Sequence, residues 1–563
     1  MTKDWETRAR EKREAILAAI PQEWRIENPP NDKQIDVTGP FIQQFLSKRE
    51  VEITEKAVEE ILEQTIKGQW KAEEVARAFC HRAALAHQLT NCLHEIFFDA
   101  AIADAKALDN YFAEHNKPKG PLHGLPISLK DQFHVKGVET SMGYVGWLGT
   151  FEGRTGTGKE KVFESEIVRS LRASGAILYV KTAVPHTLMS GESINNIIGY
   201  VWNPKNRNLA AGGSSGGEGA LIGCRGSVIG FGTDIGGSIR IPAAFNGLYG
   251  IRPSTGRLPY EGMANSMDGQ NTILSVVGPL GTSVEGLRIV TKALLEKKPW
   301  FHDPLVHEIP WREEKNQEIY NRISGNSNEG KLVFAVMKTD GIVRPLPPVA
   351  RAINTVVDAL RSHGHEVIDW TPPNQKQLLD EGFKSWVFDG GADVKAAFAL
   401  SGEPMSDQVS FYSNLSKHYT ASEIASVNVR IRELRKEFLE YWNSTEKITS
   451  AGRVVDALIC PLAPFPAARP GLYKYYGYST WVNVVDWTSV VLPVTEVDVD
   501  KDGRRDGVEE GWEPGDETEK SVWDSYDPDI YHGAHVSLQI VGRRLQEEKM
   551  LAVAEYVGKV IGK

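Results

Sequence analysis

Ala210–Ser254 reads AAGGSSGGEGALIGCRGSVIGFGTDIGGSIRIPAAFNGLYGIRPS. Glycine and serine are concentrated here far above the chain's average, interleaved with short apolar runs. A pair of glycines precedes both Ser214 and Ser238, so the backbone entering each serine can take conformations closed to other residues and can approach a ligand closely. The spacing predicts a loop from Ser215 turning into a buried small-residue helix that ends near Cys224, then a buried strand over Ser227–Gly232. TDIGGS follows as a tight turn into a second helix start, SIRIPAAF. Ser238 is thereby expected in a nest of free backbone N–H groups, able to stabilise a developing anion; one such donor is worth ~3 kcal/mol of barrier in acyl transfer. A flexible linker would not carry ALIG, VIGFG and IPAAF as apolar inserts. A phosphate-cradling loop remains open on this stretch alone, since helix N-termini bind phosphate for the same dipole reason.

Working outward, LPISL before Lys130 and AILYVKT before Val184 are short apolar runs bounded by glycine and proline, with the amphipathic helix SEIVRSLRASG between them. Strand, helix, strand is the grammar of an α/β sheet. The run before Lys130 is apolar on both faces, so the lysine should emerge at a strand end in a buried setting. KLVFAVM, PPVARAINTVVDALRSHG and HEVIDW repeat the unit, the helix carrying Val349, Ile353, Val356 and Leu360 on one face and ending at Gly364. MDGQNTILSVVGPLGTSVEGLRIVTKALL predicts a strand-like approach, a turn at Gly278-Pro279 and a helix begun by the capping pattern of Thr282 to Glu285. Residues 374–450 read as mainly helical, DALICPLAPFPAARPG as a buried strand leading into a proline-rich turn, and Asp498–Asp529 as an acidic surface loop. Upstream, the charged amphipathic helices of residues 1–72 are expected to form an N-terminal cap on a main domain spanning 73–563.

The run GGSSGGEGALIG at Gly212 and GTDIGGSIRIP at Gly232 resembles the amidase signature family, and Ser214 and Ser238, 24 residues apart, match its two serines. GLPISLKDQF supplies the expected upstream lysine, Lys130. Through PLHGLPISLKDQFHVKG, MGYVGW and YHGAHVSLQIVGRR the chain is most similar to the fungal acetamidase-type members. The resemblance implies an α/β fold with a large mixed β-sheet flanked by helices on both faces, preceded by the helical N-terminal segment. It also implies a serine, cis-serine, lysine triad with the cis peptide at Gly213-Ser214, and an oxyanion hole from the N–H groups of Ile235, Gly236, Gly237 and Ser238. Asp234 and Ser215 would brace the serine turns and Arg240 would pair with a carboxylate behind the site. Met189, Ser190 and Gly191 match the segment edging the acyl pocket, and Trp481 is the aromatic expected first in the later region that lines its leaving-group or acyl side. Trp487, Thr488 and Ser489 depart there from the commoner Tyr-Pro-Ala.

A serine hydroxyl is a poor nucleophile until a neighbouring base takes its proton, and Lys130 can be that base only if burial keeps it neutral. The expected reaction is hydrolysis of carboxylic amides through a serine acyl-enzyme, with ester or carbamate cleavage by the same machinery. A glutamine-hydrolysing amidotransferase subunit, a fatty acid amide hydrolase-like enzyme and a catalytically silent interaction protein are the alternatives.

With a formal net charge of -10 the chain lacks the basic footprint of a nucleic-acid binder. Its 4 cysteines form no C-x-x-C pair, and no run of ~20 apolar residues could span a bilayer. A cytoplasmic enzyme is expected, with a small-molecule amide as its partner, no nucleic acid, no membrane, no metal or organic cofactor, and room for a homodimer. GRTGTGK at Gly153–Lys159 fits the phosphate-loop spacing, but Glu160 stands where a magnesium-binding hydroxyl is needed, so a surface loop is expected. His532 and His535 lack a further ligand set and are expected to be structural.

Overall fold

Runs of Val, Ile and Leu short enough to be strands and apolar on both faces need cover on both faces. In the computed structural model, which describes residues 4–326 and 330–563, they find it in one central sheet. In chain order the strands are β1 (Leu93–Ile96), β2 (Pro126–Lys130), β3 (Ile177–Thr182), β4 (Ile194–Asn195), β5 (Gly199–Tyr200), β6 (Ile229–Asp234) and β7 (Tyr249–Arg252). Then come β8 (Val276–Gly281), β9 (Val333–Val336), β10 (Glu366–Asp369), β11 (Ala457–Pro461), β12 (Thr488–Glu496) and β13 (His535–Gly542). β4 and β5 form a separate hairpin; the others form a sheet of 11 strands in the order β1-β3-β2-β6-β8-β7-β12-β13-β11-β9-β10. The sheet is mixed: β2 runs parallel to β3 and β6, and β9 parallel to β10 and β11, while the middle of the sheet is antiparallel. β2, β3, β6, β8, β9 and β11 are buried along their whole length.

The helix Pro347–Ser362 buries the predicted face, Val349, Ile353, Val356 and Leu360, and its proline sits in the first turn where no N–H is needed. Residues 374–450 are helical over Gln375–Lys384, Ala392–Ala399, Phe411–Asn414 and Ala421–Ser444. The predicted boundary at 72/73 falls at the start of the helix Ala72–Thr90. At the N-terminus, the helix Trp5–Ala18 is strapped down by ion pairs of Lys12 with Glu95 and, at 2.9 Å, with Glu139. Arg8 and Arg13 on the same helix donate to the carbonyls of Leu148 and Ile197.

Three expectations are corrected. The strand placed over Ser227–Gly232 lies two residues later, because the ladder with β8 runs from Ile229 opposite Gly281 to Asp234 opposite Val276. Gly278-Pro279 is not a turn but the middle of β8; β7 pairs only with Leu280 and Gly281, so the proline sits past the end of that ladder, where its missing donor is tolerated. The helix that follows is capped by Ser283, whose Oγ accepts from Gly286 N–H at 3.0 Å, rather than by Thr282. Asp498–Asp529 is only partly a surface loop. It holds the helix Glu517–Asp524, buries Val522, Trp523 and Tyr526, and anchors through Asp502, which is buried and takes two bonds of 2.7 Å from Arg351.

Candidate active site

β2 and β6 are parallel neighbours, so their carboxyl ends reach the same sheet edge, where open α/β sheets place ligands. Lys130 is the last residue of β2; Thr233 and Asp234 are the last of β6. Ser214 lies just before the helix Gly216–Gly223, after a cis Gly213-Ser214 peptide, and Ser238 just before the helix Arg240–Phe245. The two serine turns are joined where the Ser215 N–H donates to the Ser238 carbonyl at 3.1 Å.

Lys130 Nζ is fully buried, 2.7 Å from Ser214 Oγ and 2.8 Å from Thr233 Oγ1. The proton directions can be counted. Gln132 Oε1, an acceptor only, lies 2.6 Å from Thr233 Oγ1, so the single Thr233 proton goes to Gln132 and Thr233 must accept from the lysine. One lysine N–H is thus committed to Thr233, and a neutral amine is left with its lone pair for the Ser214 hydroxyl. Burial pulls the ammonium down to about 7, against the opposing pull of Asp234 and Glu218.

The turn carrying Ser238 is built on one carboxylate. Asp234 accepts from the N–H groups of Gly237 at 2.9 Å and Ile239 at 3.1 Å, from Asn483 Nδ2 at 2.7 Å and from Arg240 Nε at 3.0 Å. Both members of the Asp234–Arg240 pair are fully buried, and Arg240 also donates to Gln539 and Asn483. Burial would raise the Asp234 carboxyl, but the guanidinium and the hydrogen bonds outweigh it and hold the group down at about 2.

Of the four expected oxyanion donors, Gly237 is corrected. Its N–H belongs to Asp234, and the carbonyl of the same peptide unit, Gly236 C=O, is held by Ser479 Oγ at 2.7 Å and Thr480 Oγ1 at 3.3 Å. That peptide plane is therefore turned away from the cleft. Among the described residues the N–H groups of Ile235, Gly236 and Ser238 have no acceptor, and these three residues line the cleft. Only glycine suits position 237, where φ is +125° and a Cβ would come 2.6 Å from Ser479 Cβ.

Ser238 is 7% exposed and opens onto a cleft of about 470 Å³, a volume in the range of drug-sized ligand sites. Met189 and Ser190 line it as expected from the sequence. Gly191 does not: its N–H donates to Tyr476 Oη at 2.8 Å and it packs against the Tyr473 ring. Trp481 is a second correction, since it is buried in the core with its ring stacked on Phe438 at 5.9 Å and edge-on to Trp487 at 5.8 Å. The aromatic wall of the cleft comes instead from Phe383, Trp386, Phe411 and Tyr412 of the helical 374–450 region, with Tyr475 and Tyr476 opposite. Nothing in the sequence distinguishes these rings from core aromatics.

Arg154–Lys159 is an exposed loop, as its missing hydroxyl predicts. Among the described residues no group of three or more His, Cys, Asp or Glu side chains could hold a metal ion, and no helix is long and apolar enough to cross a membrane.

The chain is 46% identical over 565 residues to an acetamidase of Emericella nidulans, covering 100% of this chain and 99% of the relative. It is 45% identical over 560 residues to an acetamidase of Aspergillus oryzae, covering 99% of each. Among solved structures, a fatty acid amide hydrolase superposes with a TM-score of 0.90 at 32% identity, over 100% of this chain and 96% of that one. The Amidase family model matches residues 74–551, and with the fold, the full-length relatives and the glycine-serine core in agreement, the chain belongs to the amidase signature family of enzymes that hydrolyse carboxylic amide C–N bonds.

Proposed function

We propose that Ser238 is the nucleophile, Ser214 the proton relay and Lys130 the general base of a hydrolase for small and medium-sized amides with apolar acyl groups. The observation that carries this reading is the buried Lys130 Nζ held 2.7 Å from Ser214 Oγ, with Ser238 lining the cleft and its carbonyl bonded to the Ser215 N–H. Neutral Lys130 withdraws the Ser214 proton as Ser214 takes the proton of Ser238, and Ser238 Oγ attacks the amide carbon. Among the described residues no hydrogen bond is made by Ser238 Oγ, and the relay requires it to donate to Ser214 Oγ during the reaction. The tetrahedral oxyanion is held by the N–H groups of Ile235, Gly236 and Ser238. Ser214 returns the proton to the leaving nitrogen, the C–N bond breaks, and ammonia or an amine departs. Amides need that protonation more than esters do, because the bare amide anion is a very poor leaving group. Water then attacks the acyl-enzyme by the same relay and releases the carboxylate.

The substrate class rests on two supports. The acetamidase relatives favour short primary amides, while a cleft walled by Phe383, Trp386, Phe411 and Tyr412 has room and apolar surface for larger acyl groups.

Ammonia release from acetamide, phenylacetamide, a long-chain acyl amide and glutamine, run beside Ser238→Ala, tests the proposal. Activity on the first two that disappears in the variant is expected. Substantial activity retained by Ser238→Ala would remove Ser238 as nucleophile, and preference for glutamine would overturn the substrate class.

A further inference from the structure

Glu218 is fully buried in the first turn of the helix that follows Ser214, and no step of the reaction uses it. It faces the strand that carries the lysine. Its Oε2 lies 2.6 Å from Ser128 Oγ and its Oε1 2.9 Å from Thr182 Oγ1. Ser128 is two residues before Lys130 on β2 and so shares its face, about 7 Å along the strand. Thr182 is the in-register neighbour of Lys130 on β3. A carboxyl group therefore stands beside the base, on its own side of the sheet.

The surrounding hydroxyls bear on the state of that carboxyl. Ser227 Oγ lies 2.8 Å from the Ile229 carbonyl, which can only accept, so the Ser227 proton goes there. Ser128 Oγ lies 3.0 Å from Ser227 Oγ, which then has only lone pairs to offer, so the Ser128 proton goes to Ser227. Ser128 has one proton for two acceptors, Ser227 Oγ and, at 2.6 Å, Glu218 Oε2; with that proton spent on Ser227, the donor in the contact with Glu218 is the carboxyl. Thr182 supplies the matching donor to Oε1. Gly230 seals the arrangement, because a methyl there would overlap both Glu218 Oε2 and Ser128 Oγ.

We propose that Glu218 is a positioning residue for the lysine: a one-way chain of hydroxyls, Ser128 then Ser227, ending on the Ile229 carbonyl, keeps it a neutral carboxylic acid and so spares Lys130 a second anion, beside Asp234, that would favour the ammonium. The surroundings agree. Burial raises the Glu218 carboxyl to about 8. The other ionisable groups coupled to it are the Cys92 thiol, raised by burial to about 12, and the Tyr179 phenol, raised well above its usual value, both neutral across the working range. The cation coupled to it among the described residues is Lys130. A negative charge coupled to a lysine favours its ammonium, so a neutral Glu218 enlarges the share of Lys130 present as the free amine.

This inference rests on Lys130 being the general base, and the test separates the two. In Glu218→Gln the amide donates to Ser128 and accepts from Thr182 as the neutral acid does, so the acid limb of the kcat/KM–pH profile should stay within about 0.3 unit of its original position. In Ser227→Ala the Ser128 proton is freed to donate to Glu218 and favours its carboxylate, so the acid limb should move to higher pH by about one unit. In the double variant that displacement should vanish, an outcome that loosened packing would not produce. Infrared spectra at neutral pH give a second reading that does not depend on the lysine: a carboxylic-acid carbonyl band in the unmodified enzyme, weakened in Ser227→Ala. A limb that falls by a unit or more in Glu218→Gln, or the absence of the infrared band, would show a carboxylate and overturn the proposal. No acid limb at all in the unmodified enzyme, with the band present, would instead remove Lys130 as base.

Discussion

Lowering the pH through neutrality should switch this enzyme off one power of ten at a time. A solvated lysine at 10.5 is neutral in about one molecule in 3,000 at pH 7, whereas Lys130 is brought by burial to about 7 and is neutral in about half. The difference corresponds to roughly 5 kcal/mol taken from the charged form by desolvation. If kcat/KM follows the neutral fraction, it should be near its plateau at pH 8, about tenfold lower at pH 6 and about a hundredfold lower at pH 5. Thr233→Val adds a control on the cause. It removes the oxygen 2.8 Å from Nζ that an ammonium needs as acceptor more than an amine does, so the limb should move to lower pH. Ammonia measured in stopped aliquots across pH 5 to 9, with the fold checked by circular dichroism at each end, gives the profile. A profile flat over that range, or one still rising steeply at pH 9, would refute the assignment of the limb to a buried, neutral lysine.

Further perturbations probe the frame around the triad. Asp234→Asn leaves Arg240 buried without its counterion and should cost about 3–5 kcal/mol of stability, read from the denaturant midpoint, together with most of the activity. Gly237→Ala puts a side chain at φ +125° and against Ser479, so kcat should fall at least a hundredfold with a smaller change in KM; near-normal kcat would mean the turn is not the rigid donor frame described. Trp386→Ala should raise KM for phenylacetamide about tenfold while sparing acetamide, the loss of one buried aromatic wall being worth roughly 1.5–3 kcal/mol. His87, His94 and His186 are each lowered by burial from 6.5 to about 4. The unfolded chain therefore binds their protons first, and the stability present above pH 6.5 should fall as pH drops towards 4, by up to about 1.4 kcal/mol per unit for each histidine. A thermal midpoint unchanged between pH 6.5 and 4.5 would contradict their burial as neutral rings.

The parts legible in the sequence are those that local chemistry dictates. Apolar runs bounded by glycine and proline announce β2, β3 and β9, and the face of Val349, Ile353, Val356 and Leu360 announces its helix. The paired glycines before Ser214 and Ser238, with Lys130 at the end of an apolar run, were enough to bring the three residues to one sheet edge. What was not legible depends on distant partners. Gly278-Pro279 has the composition of a turn, and only the short reach of β7 lets it lie inside a strand. Trp481 and Trp386 are both aromatic residues in helical segments, and which of them faces the cleft is decided by packing across the sheet. The direction of the Gly237 N–H follows from Asp234 three residues away, a side chain to backbone bond that spacing alone does not reveal. For Glu218 a signal was present: a lone acidic residue inside the otherwise apolar, glycine-rich GGEGALIG helix.

The most direct test of the mechanism is the site of acylation. Arg225 and Arg240 bracket Ser238, so tryptic cleavage after them yields a peptide that contains Ser238 and excludes Ser214. Enzyme quenched in acid during turnover of an activated phenylacetyl ester should carry one acyl mass increment on that peptide, assigned by fragmentation to Ser238 and absent from Ser238→Ala. An increment on Ser214, or a fully active enzyme that never acquires an acyl group, would contradict the account.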